Sequence, residues 1–297
     1  MKLLTCVGFL ACAMLVSADE EEMALKYLNQ YNYISNSRSG NQDVETAIKN
    51  FQRFAGLEVT GELDDATIAQ MKMPRCGDAD VDDNGDRVRR YKLGSKWNKN
   101  ALKYHLSYGK DLPNSVQDRV FEKALKFWSD GSALSFSRVS DVSKADLKIS
   151  FGSRSHNGPG ESRCGSPFDG PGRVLAHAYF PSNGRCHFDE DERYTDGASS
   201  GINLLWVATH EFGHALGLHH SDVRNAVMYP YYTGYKPGFG LQEDDIKGIQ
   251  AHYGKNGSGG SCEDDSQWAN HCKNYWTKYC SYNKFVQENC KKTCNKC

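Results

Sequence analysis

Two kinds of hydrophobic spacing alternate along the chain, and the places where one gives way to the other mark its parts. In "MALKYLNQYNYI" (23–34) and "VETAIKNFQRFAGL" (44–57) apolar residues return every three or four positions, which predicts two amphipathic helices punctuated by Gly56 and Gly61. From 91 to 254 short apolar runs, "LKYHLSY", "DLKISF" and "RVLAHAYF", alternate with the helical runs "VFEKALKFWSDG" and "INLLWVATHEFGHALGL". Strands mixed with helices in this way predict an α+β unit. "GKNGSGGS" then has no apolar period and reads as a flexible linker, placed at 255–261. It contains an acceptor sequon, Asn256-Gly257-Ser258.

At the start, "MKLLTCVGFLACAMLVSADEEE" has one early lysine, an apolar run and small residues before an acidic stretch. This predicts a secretory signal peptide, 1–18, cut after Ala18; the run is shorter than the ~20 residues a bilayer requires. The remaining chain is expected to be secreted, free of membrane and monomeric. With 297 residues, 39% hydrophobic, 25% charged and a formal net charge of -1, it reads as globular and multidomain. The near-neutral charge excludes a nucleic-acid partner of the basic-patch kind.

Secretion gives the 11 cysteines meaning, because an oxidising compartment pairs them. Cys6 and Cys12 leave with the signal, six crowd 262–297, and Cys164 and Cys186 lie in the middle. Cys76 in "PRCGDAD" is left without a partner. Between the helical and the mixed segments stands "RVRR", 87–90, which predicts cleavage after Arg90 by a processing protease, with Tyr91 as the new N-terminus. Residues 19–90 are then a propeptide.

The chemistry is densest in "HEFGHALGLHH", 210–220. On a helix His210 and His214 share one face and can reach one metal, with Glu211 one residue round. Gly217 can break the helix and return the chain, and the extended spacing selects His220 as third ligand. Three imidazoles leave zinc one open position for water, the mark of a catalytic rather than a structural site. Zinc lowers that water's pKa to about 7, and Glu211 can take its proton. Met228 in "AVMYPYY" matches the methionine turn beneath such sites.

From this helix to "LQEDDIKGIQAHYG" the chain resembles the matrix metalloproteinases of the metzincin clan, and the resemblance extends over 19–254. It implies a catalytic domain at 91–254 with a twisted mixed sheet and three helices, preceded by a small helical propeptide. It also implies a zinc endopeptidase made as a zymogen and acting on extracellular matrix proteins, with inhibitor proteins and an activating proprotein convertase as partners. "PRCGDAD" is similar to the family's cysteine switch "PRCGxPD", with Ala79 in place of the proline but keeping Asp80. Cys76 would hold zinc's open position as a thiolate, and Arg75 would pair with a carboxylate. The freed ammonium of Tyr91 would meet Asp244 or Asp245.

The resemblance further implies a calcium loop in "FDGPGRV" and "HFDEDE", with carboxylates of Asp169, Asp189 and Glu192 and backbone oxygens of Gly170, Gly172 and Val174. Relatives hold a second, structural zinc by a His-x-Asp pair and two later histidines. His177 and His187 match the later two, whereas His156 is followed by Asn157 and Gly158, and Cys164 falls where the aspartate would be. Two cysteines in altered loops predict a Cys164–Cys186 disulfide worth about 3 kcal/mol, replacing that zinc or supplementing it. "RVLAHAYF" resembles the edge strand that pairs with substrate backbone, and Trp206 a residue lining the main specificity pocket, which predicts a shallow pocket for medium apolar side chains.

The tail, 262–297, has the spacing C-x9-C-x7-C-x9-C-x3-C-x2-C and is too small for a core, so disulfides must hold it. It resembles the ShK toxin-like domain of channel-blocking toxins. That likeness implies the pairs Cys262–Cys297, Cys272–Cys290 and Cys280–Cys294, although the spacing alone leaves fifteen connectivities open. It also places Lys284 and Phe285 where those toxins plug a potassium channel. A tail-driven binding protein or toxin therefore stands as the alternative to a protease whose tail docks it to a channel or a matrix component. With no hemopexin-like propeller after 254, unfolded collagen is the expected substrate over native collagen.

Overall fold

Helix caps written into the sequence set out the N-terminal unit. The structure, a computed structural model, describes residues 17–34, 43–81, 93–161, 164–255, 269–280, 282–290 and 293–294. The signal residues 1–16, the Arg90–Tyr91 junction, Asn256, Cys262 and Cys297 lie outside these. Ser17 caps α1 (Ala18–Gln30), with Glu20 returning the bond. Asp43 caps α2 (Val44–Ala55), which Gly56 ends at φ 65. A third helix, α3 (Asp65–Met71), too short to show a period, starts on Asp64. Their apolar faces meet at Leu28, Phe51 and Met71, and this core runs on into Tyr229 and Tyr231 of the following unit.

The second unit is α+β. Its sheet has the order β2-β1-β3-β5-β4, built from β1 (Ala101–Leu106), β2 (Ser135–Arg138), β3 (Leu147–Gly152), β4 (Ala176–Ala178) and β5 (Arg185–Asp189). All neighbours are parallel except β4, which lies antiparallel to β5 as the edge strand. Two short strands, β6 (Tyr194–Thr195) and β7 (Ile202–Asn203), pair separately. Helices α4 (Asn114–Gly131), α5 (Leu204–Ala215) and α6 (Glu243–Tyr253) complete it. Leu102, Tyr104 and Leu106 alternate inward from β1 and meet Phe121, Leu125 and Trp128 of α4 and Phe212 of α5 in one core.

The strand alternation that builds this core also aims chemistry away from it. Ala176, Ala178, Cys186 and Phe188 join the core, so His177 and His187 project to the other face. They stand directly opposite each other across the β4–β5 ladder.

The described part of the tail is short helices: α7 (Ala269–His271), a π turn (Cys272–Trp276), a 3-10 turn (Thr277–Tyr279) and α8 (Lys284–Asn289). Disulfides Cys272–Cys290 and Cys280–Cys294 fasten them around Val286. Among the described residues no helix is long and apolar enough to cross a membrane.

Candidate active site

Helix α5 is buried along its whole length, and its polar residues are buried with it. Asn203 caps it through the Trp206 amide at 3.0 Å. His210 and His214 are one turn apart, and their Nε2 atoms lie 3.2 Å from each other. The helix ends at Ala215, and Gly217 at φ 102 turns the chain so closely that a Cβ would stand 2.2 Å from the Ser95 carbonyl oxygen. His220 then comes back onto the pair, with its ring centroid 4.6 Å from that of His214 and 5.2 Å from that of His210.

The outer nitrogens fix what the inner ones can do. His210 Nδ1 donates to the Val227 carbonyl and His214 Nδ1 to that of Leu218, each at 2.7 Å. His220 Nδ1 is 2.8 Å from Asp80 Oδ1. Each inner Nε2 is therefore an unprotonated acceptor, and two lone pairs face each other across 3.2 Å, an arrangement that calls for a cation. His220 Nε2 is buried without a partner. Burial lowers the pKa of His214 to about 3 and of His220 to about 4, keeping both in the ligand form at neutral pH. Zinc bonds of about 2.0–2.1 Å to nitrogen and 2.3 Å to sulfur in a tetrahedron require N···N of about 3.3 Å and S···N of about 3.5 Å. The Cys76 Sγ to His214 Nε2 distance is 3.5 Å, so the four donors fit that ion.

Cys76 reaches the cluster because 74–77 runs as an added strand. Arg75 N donates to the Arg173 carbonyl at 2.7 Å, Leu175 N to that of Arg75 at 2.9 Å and Gly77 N to that of Ala176 at 2.8 Å. On its other side Cys76 N donates to the Pro230 carbonyl at 3.0 Å and Tyr232 N to that of Pro74 at 2.9 Å. Arg75 is fully buried against Asp80 at 2.6 Å, over the Tyr31 ring at 3.5 Å, and bonded to the Tyr27 hydroxyl. Burial alone would raise Asp80, yet Arg75 and His220 hold it at about 2. One carboxylate thus ties the latch to a ligand histidine.

Glu211 Oε2 is buried without a partner beside Cys76, and burial together with Asp78 pushes its pKa up. Asp78, at the variable position of "PRCGDAD", accepts the Ala178 N–H at 3.0 Å, occupying a donor of the edge strand. Met228 sits beneath the site, packed so closely on the helix that a Cβ on Gly213 would stand 2.1 Å from its sulfur. Asp245 accepts Val227 N at 2.9 Å, Met228 N at 3.0 Å and Gln242 N at 2.8 Å, holding the turn whose carbonyl orients His210. Asp244 instead accepts from Ser221 Oγ at 2.8 Å.

Residues 96–254 match the matrixin family, and 22–71 match a peptidoglycan binding domain family. Matrilysin of Homo sapiens is 44% identical over 240 residues, 79% of this chain and 85% of that protein. Matrix metalloproteinase-19 of Homo sapiens is 42% identical over 241 residues, and the hatching enzyme of Paracentrotus lividus 41% over 247. The chain belongs to the matrixin family. It spans 46% and 40% of the length of the last two relatives.

In this matrixin Trp206 stacks on His210, with ring planes 13° apart and centroids at 5.3 Å. It also lines a cavity of about 150 Å³ with Ala226, Tyr229, Phe239 and Gly240. In the acidic loop, Val174 N donates to Asp169 Oδ1 at 3.2 Å and Gly172 N to Glu192 Oε1 at 2.5 Å. Asp189 Oδ2 is buried without a partner, and burial with the charges of Asp191 and Asp169 raises its pKa to about 6. Gly170 and Gly172 turn there at φ 86 and 104.

The expected Cys164–Cys186 disulfide does not form: both thiols are free. Cys186 follows the core-facing register of β5, whereas Cys164 stands on the histidine face, its Sγ 3.3 Å from His177 Nε2. Sequence spacing could not reveal which face a loop cysteine would take. It also missed Glu161, whose Oε2 lies 2.9 Å from His187 Nε2, and the tyrosines around Arg75.

Proposed function

We propose that this matrixin is a secreted zinc endopeptidase, held latent by Cys76 and acting on proteins of the extracellular matrix. The observation that carries this reading is the Cys76 sulfur seated on His210, His214 and His220, delivered by a segment that pairs with the edge strand β4. Zinc held there would polarise a peptide carbonyl and lower the pKa of water to about 7. His210, His214 and His220 would hold it, and Cys76 would exclude water while the precursor is intact. Once 74–77 leaves, the carbonyls and amides of 173–178 are free to pair with an extended substrate. Glu211, with its high proton affinity, takes the proton from the attacking water and returns it to the leaving amine. Trp206 bounds the pocket beside the reacting bond and favours medium apolar side chains.

Activation is read as convertase cleavage after Arg90. Asp245 is committed to the methionine turn, which favours Asp244 as the carboxylate for the new Tyr91 ammonium. Calcium is read at Asp169, Asp189 and Glu192 with the carbonyls of Gly170, Gly172 and Val174, where the unpartnered Asp189 oxygen fits a hard cation. The tail is read as a ShK-like docking module. Lys284 and Phe285 open α8, but their side chains lie outside the described residues. The test compares intact and convertase-trimmed protein on a peptide library, with and without a zinc chelator. Only the trimmed, metal-replete form should hydrolyse; equal rates for precursor and trimmed protein would reject the latch, and hydrolysis surviving chelation would reject the zinc.

A further inference from the structure

Departure of the helical unit would bare more than the histidine cluster. Tyr229 and Tyr231 are buried in the core that they share with α1–α3. Beside them Arg224 reaches across to the carboxyl end of α2, where its Nη2 donates to the Ala55 carbonyl at 2.6 Å and to the Gly56 carbonyl at 3.2 Å. A helix ends in carbonyls that together carry about half a negative charge, so this guanidinium is a cap supplied from the other unit. The approach is close: a Cβ on Gly56 would stand 3.1 Å from the same Nη2.

Arg224 also lines the cavity of about 150 Å³ that Trp206 bounds. Trp206, Ala226, Tyr229 and Tyr231 form its buried wall, whereas Arg224 and Lys236 are exposed. Among the described residues no carboxylate lines it. The cavity is thus an apolar wall with two cations on its solvent side. Without α2, Arg224 loses both acceptors and keeps its charge, because a guanidinium does not titrate in proteins.

We propose that Arg224 and Lys236 make this rim select a carboxylate: the end of α2 occupies it in the precursor, and an acidic substrate side chain occupies it after trimming. The proposal rests on the peptidase reading and names the substrate chemistry of its pocket. The end of α2 shows what the rim takes, oxygen acceptors with partial negative charge beside aromatic rings. A glutamate supplies the same features, methylenes to lie along the tyrosines and two oxygens for the guanidinium fork. Glutamine has the same size without the charge, and lysine reverses the charge, so the three separate charge from shape. Both cations are solvated, so the advantage of glutamate over glutamine should be about twofold to fivefold.

The test uses convertase-trimmed protein carrying Glu211→Ala, which binds peptides without cutting them. Glutamate, glutamine and lysine are exchanged one position at a time over the three residues after the bond to be cleaved. At one position affinity should fall from glutamate to glutamine to lysine, and the spread should shrink in ~0.5 M salt. Arg224→Gln should bring the ratio of glutamate to glutamine close to one, and Lys236→Gln should lower it in part. The kcat/KM values of the active trimmed protein should follow the same order. If no peptide is cut, the peptidase reading fails and the affinities still decide the rim. Equal affinities for glutamate and glutamine at all three positions overturn the proposal with no variant needed. A preference that survives the loss of both cations overturns it equally.

Discussion

The two histidine clusters, Cys76 with His210, His214 and His220 and Cys164 with His156, His177 and His187, offer the same donors, three imidazoles and one thiol, but their sulfurs are attached differently. Cys76 comes from a segment that only crosses the second unit, between 173–176 and 230–232, and whose chain leads back to the helical unit α1–α3. Cys164 comes from the loop between two strands of the sheet it serves. A donor set fixes affinity, whereas chain connectivity decides whether a donor can depart. One cut between 81 and 93 would part the first sulfur from the chain of the second unit; no single cut there would touch the second. A metal in each cluster would make the same donors a latch in one place and a staple in the other.

The sharpest way to separate the clusters is Glu211→Ala. In the trimmed enzyme it should lower peptide hydrolysis by about 10²–10⁴-fold, the usual yield of general acid–base catalysis. Metal content should not change, because Glu211 is no ligand in either set; a lost ion would make it structural instead. Next comes Asp80→Asn. It leaves Arg75 buried without its charge partner and withdraws the acceptor from His220, and breaking such a pair costs about 3–5 kcal/mol. Hydrogen exchange in α1–α3 should speed up while the sheet stays protected; unchanged exchange would show that the tyrosines alone carry Arg75.

Cys76→Ser and Cys164→Ser test the comparison directly. The first precursor should hydrolyse peptide at least about tenfold faster than the unmutated precursor, equivalent to about 1.4 kcal/mol of lost latching. The second should remain latent and lose thermal stability instead. If Cys164→Ser were to activate the precursor, the division into latch and staple would fail.

How far the sequence alone foretold this molecule depended on whether the signal was local. His210, His214, Gly217 and His220 obey helix geometry and one turn, so their spacing suffices. The same is true of α1, α2 and α4, whose apolar periods are long; α5, buried all round, shows instead as a long apolar run. The strands β2 and β5 escaped because β5 is buried on both faces and so shows no alternation, while β2 is short and mostly exposed. Cys164 was misjudged because a pairing argument counts thiols and cannot see register: β5 turns Cys186 into the core, and the inserted loop turns Cys164 to the histidines. Asp80 could be read as a partner for Arg75, but its bond to His220 spans 140 positions of sequence and exists only once the two units dock.

The acidic loop supplies the smallest and most discriminating effect. It joins the same stretch of chain as the second cluster, so a cation there should reinforce the staple and leave the latch untouched. Asp189 has its pKa raised to about 6, against an unfolded value near 3.8, so without a cation its charge costs stability above pH 6. That cost is relieved as the pH falls through 6 toward 3.8, where the folded state takes up the proton first. Calcium bound there would compete for the same oxygen and favour the charged form. The gain in melting temperature on adding calcium should therefore be largest above pH 6 and shrink on acidification. Solvent in the acidic loop screens that charge, so the change should be only a fraction of what the raised pKa would give in a dry site, a shift of a few degrees at most. Differential scanning of the Glu211→Ala precursor at pH 7.5 and 5 measures it, and Asp189→Asn should flatten the difference. A calcium gain that does not vary with pH would place the cation away from Asp189.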